Sequence, residues 1–187
     1  ILTDPPYGTT ACKWDSVIDF DFMWEQLNRI IKPNGAIVLF GSEPFSSLLR
    51  LSNLDMYKYD WKWNKIQGSG YLNSKKMPLK TIEDVLIFYK KLPTYNPQGL
   101  KEIKNKKEQC NSKAKKVFNK GGLSTHNGGR LKGIYLTEYT NYPTQLISEK
   151  KIRKGRLHPT QKPIALMEYL IKTYTNENEL VLDFTMG

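Results

Sequence analysis

Apolar and polar positions alternate along this chain in the order expected of a parallel α/β sheet. Continuous apolar runs at residues 1–3 and 36–40 predict buried strands, and residues 19–31 carry apolar side chains at helical spacing. The segment 32–35, with sequence KPNG, ends that helix because it combines a helix breaker with a glycine that tolerates positive φ. Strand, helix and strand with a right-handed crossover form the repeating unit of such sheets.

The rest of the pattern extends the same fold. A helix is predicted at about 43–54, and two strands at 57–65 and 83–90 are expected to form an antiparallel edge. A last helix has Thr160 as its predicted N-cap and is followed by a strand at 180–182.

Composition narrows the function classes. The chain has 187 residues, 39% of them hydrophobic, which is enough for one domain with a sizeable core. Its net charge of +11 favours a polyanionic partner, nucleic acid first and an anionic membrane surface second. No apolar run approaches the roughly 20 residues of a membrane span, and no signal peptide is evident. The isolated Cys12 and Cys110 and the two histidines have no metal-ligand spacing, so no metal is expected and a cytoplasmic location is the default.

Lysine dominates from residue 101 to residue 132, and a second basic run covers 150–156. We expect a flexible basic insertion at 93–156 between a catalytic part, 1–92, and a cofactor-binding part, 157–187. A solvated surface is the alternative for such charge-rich stretches, but tyrosines between the two runs favour contact with DNA phosphates. The candidate DNA-binding residues are Asn73, Lys75, Lys76, Lys115, Lys116 and Arg130.

The first strand ends in a group suited to chemistry on an amine. Pro5 and Pro6 cannot continue a sheet interior, because neither has an N–H for the ladder. The chain therefore turns with Asp4, the Pro5 carbonyl and Tyr7 at the carboxyl end of a strand, where ligands bind in open α/β sheets. Asp4 and the Pro5 carbonyl can accept the two hydrogens of an amino group on an aromatic ring while Tyr7 stacks on that ring.

Three segments in a fixed order carry a family resemblance. They are DPPY at 4–7, HPTQKP at 158–163 and VLDFTMG at 181–187. Together they resemble the amino-methyltransferases that methylate DNA bases, and more narrowly their permuted β group, in which the catalytic motif precedes the glycine loop. The resemblance covers essentially the whole chain. It implies a partial Rossmann-like sheet with helices on both faces and a basic target-recognition insertion.

The resemblance also implies a reaction and its residues. It implies S-adenosylmethionine as methyl donor, duplex DNA as substrate and a flipped-out adenine N6 as acceptor, in a bacterial or phage restriction-modification setting. The catalytic residues it implies are Asp4, Pro5, Pro6 and Tyr7, and the cofactor-binding residues are Thr160, Gln161, Lys162, Asp183, Phe184 and Gly187. Phe184 and Thr185 depart from the family's commonest form, which has proline after the aspartate.

Several alternatives stay open at this point. Related cytosine-N4 enzymes more often carry serine in place of Asp4, which favours adenine by family tendency only. A basic DNA-binding module or inactive subunit is the rival from another class. The chain begins at Ile1 and ends at Gly187, where the glycine loop should begin, so we expect a piece of a longer protein. The sequence leaves open whether the protein forms a homodimer.

Overall fold

A mixed β-sheet with helices on both faces positions the DPPY segment. The structure is a computed structural model that describes residues 1–10, 12–103, 108–110, 134–136, 138–152, 155, 157–158 and 160–186. The elements in chain order are β1 (Leu2–Thr3), α1 (Phe20–Ile30), β2 (Ile37–Gly41), α2 (Phe45–Leu51), β3 (Tyr57–Ser69), a 3₁₀ turn (Tyr71–Asn73), β4 (Lys80–Phe88), β5 (Lys101–Glu102), β6 (Glu108–Cys110), β7 (Ile134–Leu136), β8 (Tyr139–Thr140), β9 (Leu146–Ser148) and α3 (Ile164–Tyr174).

The main sheet has the strand order β1-β2-β4-β3-β9. β1 runs parallel to β2, β4 is antiparallel to both β2 and β3, and β9 runs parallel to β3. The predicted antiparallel pairing of β3 with β4 is confirmed. β3 is not the edge strand, because β9 pairs with its other side. All five residues of β2 are buried, as expected for a central strand that is covered on both faces.

Two apolar layers cover the sheet. One lies between the sheet and α3, and its buried members include Val38, Phe40, Trp61, Trp63, Leu166 and Leu170. The other lies under α1 and α2, and its buried members include Met23, Leu27, Ile37, Leu39, Leu49 and Leu86. The alternation of β2 side chains between the two layers follows from the two-residue period of a strand. The predicted α/β class with helices on both faces is therefore confirmed.

The sequence located the start of α1 correctly but misplaced the start of α3. Asp19 caps α1 as expected, and its carboxylate accepts a hydrogen bond from the Phe22 N–H at 2.9 Å. The prediction that Thr160 caps the last helix is wrong, because α3 begins at Ile164 after an extended Pro163. Lys162 precedes that proline, and the steric clash of a proline ring disfavours helical backbone at the preceding residue.

Residues 180–182 lie beside β1, but they do not form the predicted strand. The Leu2 N–H donates to the Leu182 carbonyl at 3.0 Å. This contact places the two segments side by side without a regular ladder.

The chain divides into two compact units, residues 1–98 with 144–187, and residues 99–143. The second unit falls within the predicted insertion at 93–156. It contains two antiparallel pairs, β5 with β8 and β6 with β7, where the sequence predicted a flexible insertion. The candidate residues Lys115, Lys116, Arg130 and Gly187 lie outside the described residues.

Among the helices that the structure describes, none is long and apolar enough to cross a membrane.

The packing of α2 gives a matched stability test. Leu49 is fully buried, whereas its neighbour Leu48 is 54% exposed. We expect Leu49→Ala to lower the free energy of unfolding by about 2–5 kcal/mol, through lost burial and a residual cavity. Leu48→Ala is expected to change it by less than about 0.5 kcal/mol. Chemical denaturation of both variants measures the difference, and equal losses would contradict the described packing.

Candidate active site

Asp4 lies at the carboxyl end of β1, and both of its carboxylate oxygens have partners. The Tyr7 hydroxyl donates to Oδ1 at 2.6 Å, and the Lys162 ammonium donates to Oδ2 at 2.5 Å. The Asp4 side chain is 21% exposed and that of Lys162 is 9% exposed, so this ion pair is largely shielded from solvent. The structure thus brings together residues from the first and second motifs, 158 positions apart in the chain.

Lys162 is enclosed by aromatic rings and a second carboxylate. Its Nζ lies 5.1 Å from the ring centroid of Phe40 and 6.0 Å from that of Trp63. Glu83 Oε2 is 3.6 Å away, too far for a hydrogen bond but within ion-pairing distance. The other oxygen of Glu83 accepts from Lys65 Nζ at 2.9 Å. Asp4, Lys162, Glu83 and Lys65 therefore form a chain of alternating negative and positive charges with no net charge.

Tyr7 is held as a neutral hydrogen-bond donor. Burial, reinforced by the negative charges of Asp4 and Glu83, raises the pKa of the Tyr7 hydroxyl well above its ordinary value. The phenol consequently keeps its proton at neutral pH and donates a hydrogen bond to Asp4. The Tyr7 ring packs on Phe45 of α2 with centroids 5.1 Å apart and an interplanar angle of 28°.

Asp183 is tied to the same strand end through Thr3. The fully buried Thr3 hydroxyl donates to Asp183 Oδ1 at 2.6 Å and lies 2.5 Å from the Thr185 hydroxyl. The Thr185 hydroxyl also donates to the Asp4 carbonyl at 3.0 Å. Within the described residues, no hydrogen bond reaches Asp183 Oδ2. The first and third motifs therefore share one edge of the sheet.

The remaining predicted residues of the second and third motifs lie near this edge but make local contacts. The Thr160 hydroxyl lies 3.0 Å from His158 Nδ1, and Gln161 Oε1 accepts from the Leu157 N–H at 2.8 Å. Phe184 is 36% exposed. Asn73, Lys75 and Lys76 lie in the exposed turn between β3 and β4.

A family model described as DNA methylase matches residues 1–187. The chain belongs to this family. It is 30% identical to the type II methyltransferase M.HpaI of Haemophilus parainfluenzae over 200 residues, which covers all of this chain and 57% of that protein. It is 28% identical to the type II methyltransferase M1.MboII of Moraxella bovis, which covers all of this chain and 75% of that protein.

Two solved structures have a similar fold. The crystal structure of the M1.HpyAVI–SAM complex matches with a TM-score of 0.56 and 24% identity, over all of this chain and 71% of that one. A second crystal structure of M1.HpyAVI matches with a TM-score of 0.54 and 18% identity, over 69% of that chain. The recognition of the DNA amino-methyltransferase family from its three motifs is confirmed by the family match.

Sequence analysis missed several residues that contact Asp4, Lys162 or one of their partners. They are Thr3, Trp63, Lys65 and Glu83. Trp63 and Lys65 are two positions apart on β3 and therefore share one face of the sheet, and Glu83 lies opposite Trp63 on β4. The two-residue period of a strand could have indicated that these three residues share a face. Among the described residues, no group of three or more His, Cys, Asp or Glu side chains is placed to hold a metal ion.

The Thr3 hydroxyl gives a test of the link between the first and third motifs. We expect Thr3→Val to lower the free energy of unfolding by about 1–3 kcal/mol, because a half-buried carboxylate loses its donor while the side-chain shape is kept. Thr3→Ser keeps the hydroxyl and removes one methyl, so its loss should be nearer 1 kcal/mol. Thermal and urea unfolding compare the two. A serine variant as unstable as the valine variant would show that methyl packing, not the hydrogen bond, holds this edge.

Proposed function

We propose that this protein transfers a methyl group from S-adenosylmethionine to the exocyclic N6 of an adenine that is flipped out of duplex DNA. The observation that carries the proposal is the position of Asp4 at the carboxyl end of β1. Its carboxylate accepts from Tyr7, and its backbone carbonyl accepts from Thr185 of the Asp183 segment. This arrangement offers acceptors for an aromatic amine beside a second acidic group on one edge of the sheet. Membership of the DNA methylase family supports it.

The contacts of Asp4 indicate how an amine enters. The Lys162 contact joins two ionised groups, whereas the Tyr7 hydroxyl is neutral and is the weaker donor to displace. The incoming amino group takes the place of the Tyr7 hydroxyl at Oδ1, and Lys162 keeps Oδ2. Release of its hydroxyl lets the Tyr7 ring move onto the base. Lys162 is then a positioning residue that fixes the orientation of the Asp4 carboxylate.

The residues at the edge fit the cofactor in charge and place. Asp183 has one oxygen committed to Thr3 and the Thr185 N–H, and its other oxygen suits the ammonium of the cofactor's amino-acid end. Thr160, Gln161 and Lys162 precede α3, where the first N–H groups of the helix suit a carboxylate. Exposed Phe184 offers an apolar contact.

When bound, S-adenosylmethionine supplies an electrophilic methyl group on a sulfonium. An adenine amine is a poor nucleophile because its lone pair is delocalised into the ring. Asp4 and the Pro5 carbonyl accept its two hydrogens, which draws the nitrogen towards tetrahedral geometry and aims the lone pair. In the transfer the N–C bond would form as the S–C bond of the donor breaks. Asp4 stabilises the positive charge on nitrogen, and one proton then leaves to solvent.

Access to the amine requires the base to leave the duplex. The unstacking cost of a few kcal/mol is partly offset by stacking on Tyr7. The net charge of +11 supports binding to the DNA backbone, with Asn73, Lys75 and Lys76 as candidate contacts in the first unit. Lys115, Lys116 and Arg130 stay candidates from the sequence.

The deciding experiment is incubation of the protein with DNA and methyl-labelled donor, followed by mass spectrometry of the nucleosides. N6-methyladenine is the expected product. N4-methylcytosine would assign the protein to the other acceptor of this chemistry. DNA binding without any labelled nucleoside or donor binding would favour a non-catalytic DNA-binding module.

Asp4 gives the first mutational test. We expect Asp4→Ala to lower the methyl-transfer rate by at least about 100-fold, because the amine loses its charged acceptor. DNA affinity in gel-shift assays should change little. Asp4→Asn keeps an acceptor for Tyr7 and controls for the fold, which circular dichroism also monitors. Parallel loss of transfer and DNA affinity in folded Asp4→Asn would contradict the assigned role.

Tyr7 tests the displacement step. We expect Tyr7→Phe to retain transfer within about threefold, because the ring remains and the competing hydroxyl is gone. Tyr7→Ala should lower transfer by tenfold or more, since stacking on a base contributes about 1–3 kcal/mol. Steady-state kinetics of both variants measure this. A phenylalanine variant as impaired as the alanine variant would show that the hydroxyl itself is required.

A further inference from the structure

The turn between β3 and β4 exposes apolar side chains among lysines. Leu72 is fully exposed, Tyr71 is 65% exposed and Met77 is 51% exposed. Residues 64–82 contain four lysines and no acidic residue. Lys75 and Lys76 lie in the turn itself and are exposed. Exposed apolar side chains cost solvation free energy unless a partner covers them, and the surrounding positive charge favours a polyanionic partner.

Backbone hydrogen bonds define the conformation of the turn that carries these side chains. Gly70, at φ +91°, begins a 3₁₀ turn in which the Asn73 N–H donates to the Gly70 carbonyl at 2.9 Å. The Lys76 and Met77 N–H groups both donate to the Asn73 carbonyl, at 2.8 and 3.0 Å. Leu72 is therefore presented by a hydrogen-bonded turn, which reduces the entropy lost when it is buried against a partner.

The turn projects from the edge of the sheet that carries Asp4. β3 runs in the same direction as β1 and β2, so their carboxyl ends share that edge. Asp84 pairs with Gly41, the last residue of β2, while the hairpin continues to the pair Ser69 and Lys80. At about 3.3 Å per residue, β4 carries the hairpin about 13 Å past β2. This reach exceeds the depth of about 8.5 Å of the DNA major groove.

Ion pairs connect the base of this hairpin to the candidate catalytic residue. Lys65 on β3 pairs with Glu83 on β4, and Glu83 lies 3.6 Å from the Lys162 ammonium that holds Asp4. A duplex that presents a base to Asp4 therefore lies next to the hairpin.

We infer that this hairpin tip contacts duplex DNA and that Leu72 enters the base stack where the target base leaves it. Lys75 and Lys76 contact the adjacent phosphates. Apolar side chains, including leucine, separate stacked bases in several classes of DNA-binding protein. The inference rests on the proposed function for its partner, and it assigns the separation of the bases to a residue that makes no contact with Asp4.

The test uses DNA duplexes in which 2-aminopurine replaces a fraction of the adenines, because the fluorescence of this base rises when it unstacks. The measurement needs neither a known target sequence nor methyl transfer. We expect the protein to raise the fluorescence, and Leu72→Ala to reduce that rise by about fivefold or more, in keeping with an unstacking cost of a few kcal/mol. Leu72→Met should restore it. Leu51→Ala, at a 66% exposed leucine on α2, is the matched control and should match the unmodified protein.

Methyl-transfer rates on two DNA substrates complete the test. Leu72→Ala should slow transfer on a fully paired duplex by about tenfold, and on the same DNA as a single strand by less than about twofold, because no stack needs to be opened there. Equal rates for Leu72→Ala and the unmodified protein on the duplex, or equal losses on both substrates, would overturn the inference while leaving methyl transfer intact.

Absence of any transfer by the unmodified protein, with the fluorescence pattern as expected, would overturn the proposed reaction and support the hairpin contact. A change of oligomeric state in Leu72→Ala, measured by sedimentation, would assign the tip to a contact between copies and overturn the DNA role.

Discussion

The buried ammonium of Lys162 is the charge on which the arrangement of the candidate active site depends. A cation that is 9% exposed must be paired, because an unpaired charge in this environment is strongly destabilising. Asp4 and Glu83 supply the opposite charges, and the ring faces of Phe40 and Trp63 add cation–π attraction. The pairing fixes the end of β1, the strand β4 and the segment before α3 relative to one another. A carboxylate held in this way needs no further ordering before it accepts an amine.

A second constraint joins the ends of the chain. Thr3 and Asp183 are 180 positions apart, yet the hydroxyl of one donates to the carboxylate of the other at 2.6 Å. They meet because the segment around Leu182 lies beside β1 in space. Since strand neighbours, not sequence order, decide which side chains share an edge, a permuted order of motifs gives the same constellation. The contacts of Thr185 with Thr3 and the Asp4 carbonyl close that edge.

The sequence correctly predicted the features that depend on a few neighbouring residues, such as strand ends and helix caps. The Pro5-Pro6 turn ended β1 correctly, and Asp19 marked the start of α1, because caps and prolines act over a few residues. Thr160 looked equally good as a cap, but Pro163 kept the segment before it extended and moved the helix start to Ile164. The Lys162 partners could not be predicted, because Asp4 and Glu83 are far from it in sequence and ion pairing follows tertiary packing. The resemblance placed Lys162 near the cofactor and did not indicate that it holds Asp4.

Ion pairs on both faces of the sheet join β3 to β4. Those on one face also connect this hairpin to Asp4 through Lys162. On the α2 face, Asp60 and Asp84 share Arg50 and Lys62 at 2.7–3.0 Å. Burial alone would raise the pKa of Asp60, but its bonds to Lys62 and Arg50 outweigh that effect and lower the pKa, so the Asp60 carboxylate stays ionised and paired.

On the opposite face, Lys65 and Glu83 pair across the same two strands and reach Lys162. Ion pairs therefore join β3 and β4 at the level of the last residue of β2, beyond which the hairpin extends. Glu83 thereby connects the base of the hairpin to the Lys162 ammonium that is paired with Asp4. If the tip contacts a duplex as proposed, this chain of ion pairs is the structural link between the separation of bases and the orientation of the Asp4 carboxylate.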